Sequence, residues 1–404
     1  MSLIGLQGDL HFGASYNLGT LDPKTQHNTR LLDYMTTLKR NIDLFIENGI
    51  DLLVFLGDIY ETRSPSQQQI NALVECLNYA LDKGLKVIIL AGNHDQQRST
   101  DTTTIDLFKT LRLKNVSVYT DFGVYDYNGV KIFLMPYRDR KYLGVETNKE
   151  AVEIINKKLT DLGYYDCENK VVFGHYMFEG TTSYSKSETF SMTEILLDRK
   201  MFRDAKAVVM GHIHRAEILS NNPPMFYSGS MERNTYGEKD YDKCIVFVDT
   251  NDYSASKLMK VDVKDLYDLK IDYSDSFLLK GETLPTLLKD IDAFCERNNV
   301  KNSIMRLSAK IDETDLYSVN QNAIKSYLYS KGICYCSGVS ITSFFRYVRK
   351  TDLIDTTDSK KIIEVYIKEL DEIEATKKDM LQLANDIISS LDGVSNASDK
   401  TSIK

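Results

Sequence analysis

Leu52-Leu53-Val54-Phe55-Leu56-Gly57-Asp58-Ile59-Tyr60-Glu61 is the stretch from which the rest of the chain can be read. Five apolar residues run straight into Gly-Asp. A short unbroken apolar run that stops at glycine is expected to be a strand of a sheet covered on both faces. Such a strand delivers the Asp58 carboxylate at its carboxyl end, where open α/β sheets place their sites. Four other stretches end the same way: Gly8-Asp9-Leu10-His11, Gly92-Asn93-His94-Asp95, Gly174-His175 and Gly211-His212-Ile213-His214. Each follows its own apolar run: Leu3–Leu6, Val87–Leu90, Val171–Phe173 and Ala207–Met210. Five of the chain's six histidines lie in these motifs, and only His27 lies outside.

Between the motifs the pattern alternates. A strand is expected over 3–9 and an amphipathic helix over 28–48, with Leu31, Met35, Leu38, Ile42, Phe45 and Ile46 at helical spacing. Pro65-Ser66 is expected to open a second helix, with Pro65 in its first turn and Ile70, Leu73, Val74, Leu77 and Leu81 on one face. Strand order then reads β-α-β-α-β with parallel pairing. Asn128-Gly129 marks a hairpin between 124–127 and 130–134. A helix at 148–162 and strands at 170–173, 206–210, 225–230 and 244–248 complete a two-sheet α/β sandwich of about 260 residues.

Beyond it the pattern changes to a smaller α+β domain, with an alternating strand at 304–311 and helices at 283–297 and 314–331. Past residue 359, Ile363, Tyr366, Leu370, Ile373, Met380, Ala384, Ile387 and Leu391 recur at helical spacing and describe a helical tail with an acidic opposite face. The expected divisions are 1–262, 263–352 and 353–404.

Composition sets bounds. The 404 residues suffice for two or three domains, and 42% hydrophobic with 27% charged residues is ordinary for a globular protein. No apolar run approaches the ~20 residues of a membrane span, and the N-terminus runs directly into a strand, so neither a membrane protein nor a signal peptide is expected. Six dispersed cysteines without a C-x-x-C pattern fit reduced thiols in the cytoplasm, or the host cytoplasm of a viral protein. The net charge of −8 gives no general argument for nucleic-acid binding.

Asp9, His11, Asp58, Asn93, His175, His212 and His214 offer seven mixed nitrogen and oxygen donors. That is more than one divalent ion uses, and two ions sharing a carboxylate use such a set naturally. The Asp-x-His and His-x-His spacings suit extended backbone, on which residues i and i+2 face one cavity. Carboxylates and imidazoles without cysteine favour Mn, Fe or Zn.

This ordered set resembles that of the calcineurin-like metallophosphoesterases. More narrowly it is similar to SbcD-type nucleases of double-strand-break repair, through Gly57-Asp58-Ile59-Tyr60 before Pro65-Ser66, and through Gly229-Ser230-x-Glu232-Arg233 before Tyr236-Gly237-Glu238. The resemblance covers 1–250 by motif and 265–404 by layout only. It implies a metallophosphoesterase domain with an α+β capping domain and a helical tail. Asp9, His11, Asp58 and His214 would hold one ion, and Asp58, Asn93, His175 and His212 the other, most simply Mn²⁺. His94 would be catalytic, facing the scissile phosphate, with Asp95 orienting it. Some relatives carry a second non-ligand histidine just after Gly-Asp; here those positions are Tyr60 and Glu61.

The implied activity is 3′→5′ double-strand exonuclease and single-strand endonuclease in DNA recombination and repair. The implied partners are DNA, an SbcC-type coiled-coil ATPase docked on the tail, and a second copy in a homodimer, with helix 65–83 as a candidate face. Arg63 and Arg98 follow two of the motifs, and Arg346 and Arg349 lie in a basic-aromatic stretch at 343–350, so these four are candidate DNA contacts. The alternatives are a phosphatase or cyclic-nucleotide phosphodiesterase of the same fold, and a scaffold that bridges DNA without catalysis.

Overall fold

All four side chains of Leu52–Phe55 are buried, as a strand covered on both faces requires. In the computed structural model of the chain this strand lies inside a six-stranded sheet. Residues 3–96, 102–182, 193–276, 278, 281–344, 363–364, 367 and 376–387 are described. The sheet runs Lys257–Val261, Lys243–Asp249, Leu3–Gln7, Leu52–Phe55, Lys86–Leu90, Val116–Tyr119. Its last four strands are mutually parallel, and Lys243–Asp249 is antiparallel to Leu3–Gln7.

A second six-stranded sheet runs Glu217–Asn221, Pro224–Tyr227, Ala207–Met210, Lys170–Gly174, Val130–Met135, Gly123–Tyr127, with its four inner strands parallel. Alternate side chains face alternate layers. Leu52, Val54, Val171, Phe173 and Val209 meet between the sheets. Leu53 and Phe55 pack instead on Leu38, Ile42 and Phe45 of helix Thr29–Glu47. On the far side Phe133, Val172 and Val208 pack on Ala151, Ile155 and Leu159 of helix Asn148–Asp161. The two-sheet α/β sandwich expected from the sequence is therefore the fold, with helices outside both sheets.

Local chemistry explains the element ends. Asn28 caps the first helix by accepting from the Arg30 amide. The hairpin turn has Asn128 and Gly129 at φ 49° and 83°, the conformation the Asn-Gly pair favours. Pro65 is not in the first turn of the second helix. Ser66 caps Gln67–Asp82 through a reciprocal capping box with Gln69, which leaves Pro65 outside. The expected face of that helix packs on the core, with Leu73 and Leu77 buried and Ile70, Val74 and Leu81 partly so. Ala72, Cys76 and Ala80 are buried beside them, and Cys76 Sγ reaches the Met35 carbonyl at 3.8 Å.

The smaller sheet orders Leu266–Asp272, Ile304–Asp312 and Tyr335–Phe344, with the first two parallel. Ile304, Met305, Leu307, Ala309 and Ile311 are its buried side chains on the middle strand. Helix Thr283–Arg297 joins the parallel pair. The single helix expected over 314–331 is broken: Glu313–Ser318 is a tight 3₁₀ segment, and Asn320 caps a separate helix Gln321–Ser330 by accepting from the amides of Asn322 and Ala323.

This sheet abuts the sandwich through Leu266, Ile304, Leu18, Tyr236 and Tyr335. Arg306, paired with both Asp268 oxygens at 2.7 Å, lies 4.1 Å over the Tyr236 ring. The chain divides into two compact units, one of residues 1–311 and 315–342, the other of 312–314 and 343–404. In the latter, 376–387 is helical with Met380, Leu383 and Ile387 exposed. Tyr366, Leu370, Ile373 and Leu391 of the tail stripe lie outside the described residues.

Candidate metal centre

Each apolar strand hands its motif to the same end of the sandwich, since the strands that precede the motifs are parallel within their sheets. The backbone there is not extended, contrary to the spacing argument. The first strand stops at Gln7, and Asp9, His11, Asp58 and His212 have φ of 43°, 46°, 48° and 84°. Left-handed backbone is uncommon outside glycine and costs of order 1–3 kcal/mol per residue when strained. Cross-connections hold it: His11 N–H donates to the Asp58 carbonyl at 2.8 Å, and His212 N–H donates to the Asp9 carboxylate at 2.9 Å. The glycines of the second and third motifs are needed for close approach. A Cβ on Gly57 would lie 2.6 Å from His175 Nδ1, and one on Gly92 would lie 2.1 Å from Asp58 Oδ1.

Asp58 lies in the middle. Its Oδ2 is 3.7 Å from His11 Nε2 and 3.5 Å from His175 Nε2. Its Oδ1 accepts from the His94 amide at 2.8 Å. Burial alone would raise this carboxyl, but the imidazoles of His175, His94 and His11 hold it well below the usual carboxylate range. Two groups of ligand-type atoms, each within 4.8 Å of one another, share it: His11–Asp58–His94 and Asp58–His175–His212.

His214 joins the first group, its Nε2 3.0 Å from His11 Nε2. Asn93 joins the second, its Oδ1 2.9 Å from His175 Nε2 and 3.0 Å from His212 Nδ1. Asp9 lies against the second group, its carboxylate accepting from the His212 amide and standing 3.7 Å from His175 Nδ1. All seven expected donors are thus brought together.

The outer ring nitrogens explain why the inner ones point inward. His11 Nδ1 is 2.9 Å from Glu61 Oε2, His214 Nδ1 3.0 Å from Glu238 Oε1, and His212 Nε2 3.2 Å from Glu194 Oε1. His175 Nδ1 donates to the Leu56 carbonyl at 2.8 Å. Where an outer nitrogen is hydrogen-bonded, as in His175 and His214, the proton sits there and the inner nitrogen offers its lone pair, and the carboxylates beside His11 and His212 favour the same tautomer. Lone pairs then face lone pairs across short gaps, beside an ionised carboxylate. Cations complete that arrangement, so the residues present fit a pair of divalent ions of the Mn, Fe or Zn type.

The outer carboxylates are the part that the sequence reasoning missed. Glu238 is buried and charged: burial would raise it, but Lys243 and His214 hold it well below the usual range. Lys243, itself fully buried, donates to Glu238 Oε2 and Ser230 Oγ, each at 2.6 Å, and to the His214 carbonyl at 3.1 Å. Tyr137 was missed as well. Its ring stacks on His212 with centroids 5.9 Å apart, and its hydroxyl donates to Glu194 Oε2 at 3.1 Å.

Two expectations about side-chain roles change. Asp95 does not orient the His94 ring. Its carboxylate accepts from the amides of Ile59, Tyr60 and Gly92 and from the Thr104 hydroxyl, tying two motif loops together. Burial, helped by the Asp58 charge, raises it to about 6. His94 is held by the Glu61 carbonyl, to which its Nδ1–H donates at 2.6 Å. Arg63 donates to the carbonyls of Gln96 and Asn93 and so braces the loop that carries His94. Arg98, Arg346 and Arg349 lie outside the described residues.

Residues 3–216 match the model of the family described as calcineurin-like phosphoesterase. The chain is 26% identical over 247 residues to the SbcD component of nuclease SbcCD from Staphylococcus epidermidis, covering 56% of this chain and 63% of the relative. It is 25% identical over 219 residues to the Staphylococcus saprophyticus counterpart, covering 49% and 55%. The chain thus spans less than two thirds of the length of either relative. Among solved structures, TT1561 of Thermus thermophilus aligns with a TM-score of 0.36 and 9% identity over 64% of this chain and 98% of that one. A dimetal phosphatase from Danio rerio aligns with a TM-score of 0.37 and 10% identity over 61% and 91%. Matched to the family over more than half its length, with shared Asp58 between two clusters of inward-facing donors, this chain belongs to the calcineurin-like phosphoesterases, metal-dependent hydrolases built around a dinuclear site.

Proposed function

We propose that the chain is the nuclease component of a DNA recombination and repair complex, a two-metal 3′→5′ double-strand exonuclease and single-strand endonuclease that works with an SbcC-type coiled-coil ATPase. The observation that carries the hydrolytic part is the pair of donor groups sharing Asp58, with half-buried His94 at its edge. The nuclease part is supported by the two staphylococcal relatives, both components of nuclease SbcCD. In this reading Asp9, His11, Asp58 and His214 hold one ion, Asp58, Asn93, His175 and His212 the other, and Mn²⁺ is the working metal. When bound, the ions would activate water and clamp the phosphorus centre between attacking and leaving oxygens.

The residues supply the rest. The Glu61 carbonyl keeps the His94 proton on Nδ1, so Nε2 is the nitrogen free to act at the phosphate. In its protonated form that nitrogen stabilises developing negative charge and gives its proton to the departing 3′ oxygen. Asp95 fixes the loop geometry from below by its amide bonds. Segment 263–352 would cap the site and touch DNA, 353–404 would dock on the ATPase, and the chain would pair as a homodimer.

End-labelled duplex DNA incubated with Mn²⁺ tests the proposal. Stepwise release by wild type, and none by His94→Asn or under chelation, is the expected result. Hydrolysis of small phosphomonoesters or cyclic nucleotides with intact DNA would move the chain to the phosphatase or phosphodiesterase reading.

A further inference from the structure

We propose that Glu61 is a positioning residue that ties the first ion site to the proton donor, its side chain serving the metal and its backbone serving His94. The proposal rests on the two-ion reading above.

Two contacts meet at this residue. Its carboxylate lies 2.9 Å from His11 Nδ1, and its carbonyl accepts from His94 Nδ1–H at 2.6 Å. The two imidazoles it holds stand edge to face, with centroids 5.0 Å apart and planes at 85°. Each is thereby left with Nε2 directed away from Glu61. His11 Nε2 meets His214 Nε2 at 3.0 Å and Asp58 Oδ2 at 3.7 Å. A carboxylate on the outer nitrogen of a ligating imidazole fixes its tautomer and makes the inner nitrogen more basic. The backbone carbonyl does the same positional work for His94 and needs no particular side chain.

The position of residue 61 is itself anchored. Its amide donates to the Phe12 carbonyl at 3.3 Å, the Phe12 amide donates to the Ile59 carbonyl at 3.0 Å, and Asp95 holds the Ile59 and Tyr60 amides. The carbonyl that holds His94 therefore stays in place when the side chain is shortened. With its side chain 36% exposed, Glu61 lies at the rim, where substitution leaves the core intact. The two duties can be separated by mutation: one side-chain change should loosen the first ion alone and leave the proton donor oriented.

The test is Mn²⁺ titration of the full-length chain after chelation, followed calorimetrically and by the electron paramagnetic resonance of free Mn²⁺, alongside DNA cleavage. Wild type should bind two ions. Glu61→Ala should bind one as wild type does and the other about 10–100-fold more weakly. At Mn²⁺ concentrations that fill both sites its cleavage rate should return towards the wild-type value. Glu61→Gln, whose amide oxygen still accepts from His11, should recover most of the lost affinity. His94→Asn should bind both ions normally.

Unchanged binding of both ions by Glu61→Ala would overturn the proposal. So would a Glu61→Ala protein that stays inactive with both ions bound, since the side chain would then act beyond the metal. Wild type that binds at most one ion would remove the two-ion reading first, and this proposal with it.

Discussion

The two halves of the centre are built on different supports. Around His11 and His214 the outer ring nitrogens meet carboxylates, rim-exposed Glu61 and buried Glu238, the latter neutralised by Lys243. Around His175 and His212 the support is deeper and more mixed: the Leu56 carbonyl, Glu194, and the face of Tyr137. The donors His175 and His212 are buried, whereas His214 is partly open and His94, beside His11, is half-buried. A half that leans in part on a rim carboxylate should exchange its ion more readily than one enclosed by a carbonyl and an aromatic ring. Asp58, common to both, cannot discriminate between them.

That symmetry gives the largest expected effect. Asp58→Asn removes the shared charge and should empty both halves together, with cleavage falling by about 10³-fold or more. Elemental analysis beside the cleavage assay checks it, and retention of one full ion per chain would break the sharing. His94→Asn comes next. It should keep both ions and lose about 10²–10⁴-fold in rate, the usual contribution of a positioned acid. A fully active variant would remove His94 from the chemistry.

Lys243→Met sharpens the contrast from the side of the first half. Lys243 is fully buried and donates to three acceptors, one of them Glu238. Removing it leaves the Glu238 carboxylate buried without its partner, a loss that costs about 3–5 kcal/mol when an ion pair is enclosed. Urea unfolding should show that loss, and Mn²⁺ titration should show the first ion weakened while the second holds. Equal weakening of both would mean the halves are not independently supported.

How much of this was legible follows the same division. The strands announced themselves because a strand covered on both faces must be apolar at every position, as in Leu52–Phe55 and Ala207–Met210. The inner donors were legible because Asp and His directly after such a run are costly unless used. The outer supports carry no such mark. Glu61 and Glu194 lie in loops and Glu238 ends a short 3₁₀ turn, places where acids are ordinary, and their partners lie 50, 18 and 24 positions away in the sequence. Spacing also misled where the chain breaks its own period. Asp9 and His11 suggested an extended strand end, yet both are left-handed and held by bonds to distant loops. Residues 314–331 kept helical periodicity across Asn320, whose side chain caps a new helix rather than continuing the old one.

Tyr137→Phe is the smallest and most discriminating change. The ring that stacks on His212 remains, and only the hydroxyl that donates to Glu194 Oε2 at 3.1 Å is lost. Glu194 then keeps its contact with His212 Nε2 at 3.2 Å but loses one of the groups that hold it there. One neutral-to-charged hydrogen bond is worth about 1.5–3 kcal/mol at most, and here it acts through an intermediary, so a weakening of the second ion by under tenfold is expected. The first ion should be untouched, because among the described residues the Tyr137 ring packs on His175 and His212, the imidazoles of the second half. Paired with Glu61→Ala, this variant gives a double-mutant cycle across the shared carboxylate. Additive losses would mean that each half is held by its own outer shell. Coupling would mean that Asp58 transmits a shift in one half to the other, and the two ions would then bind cooperatively.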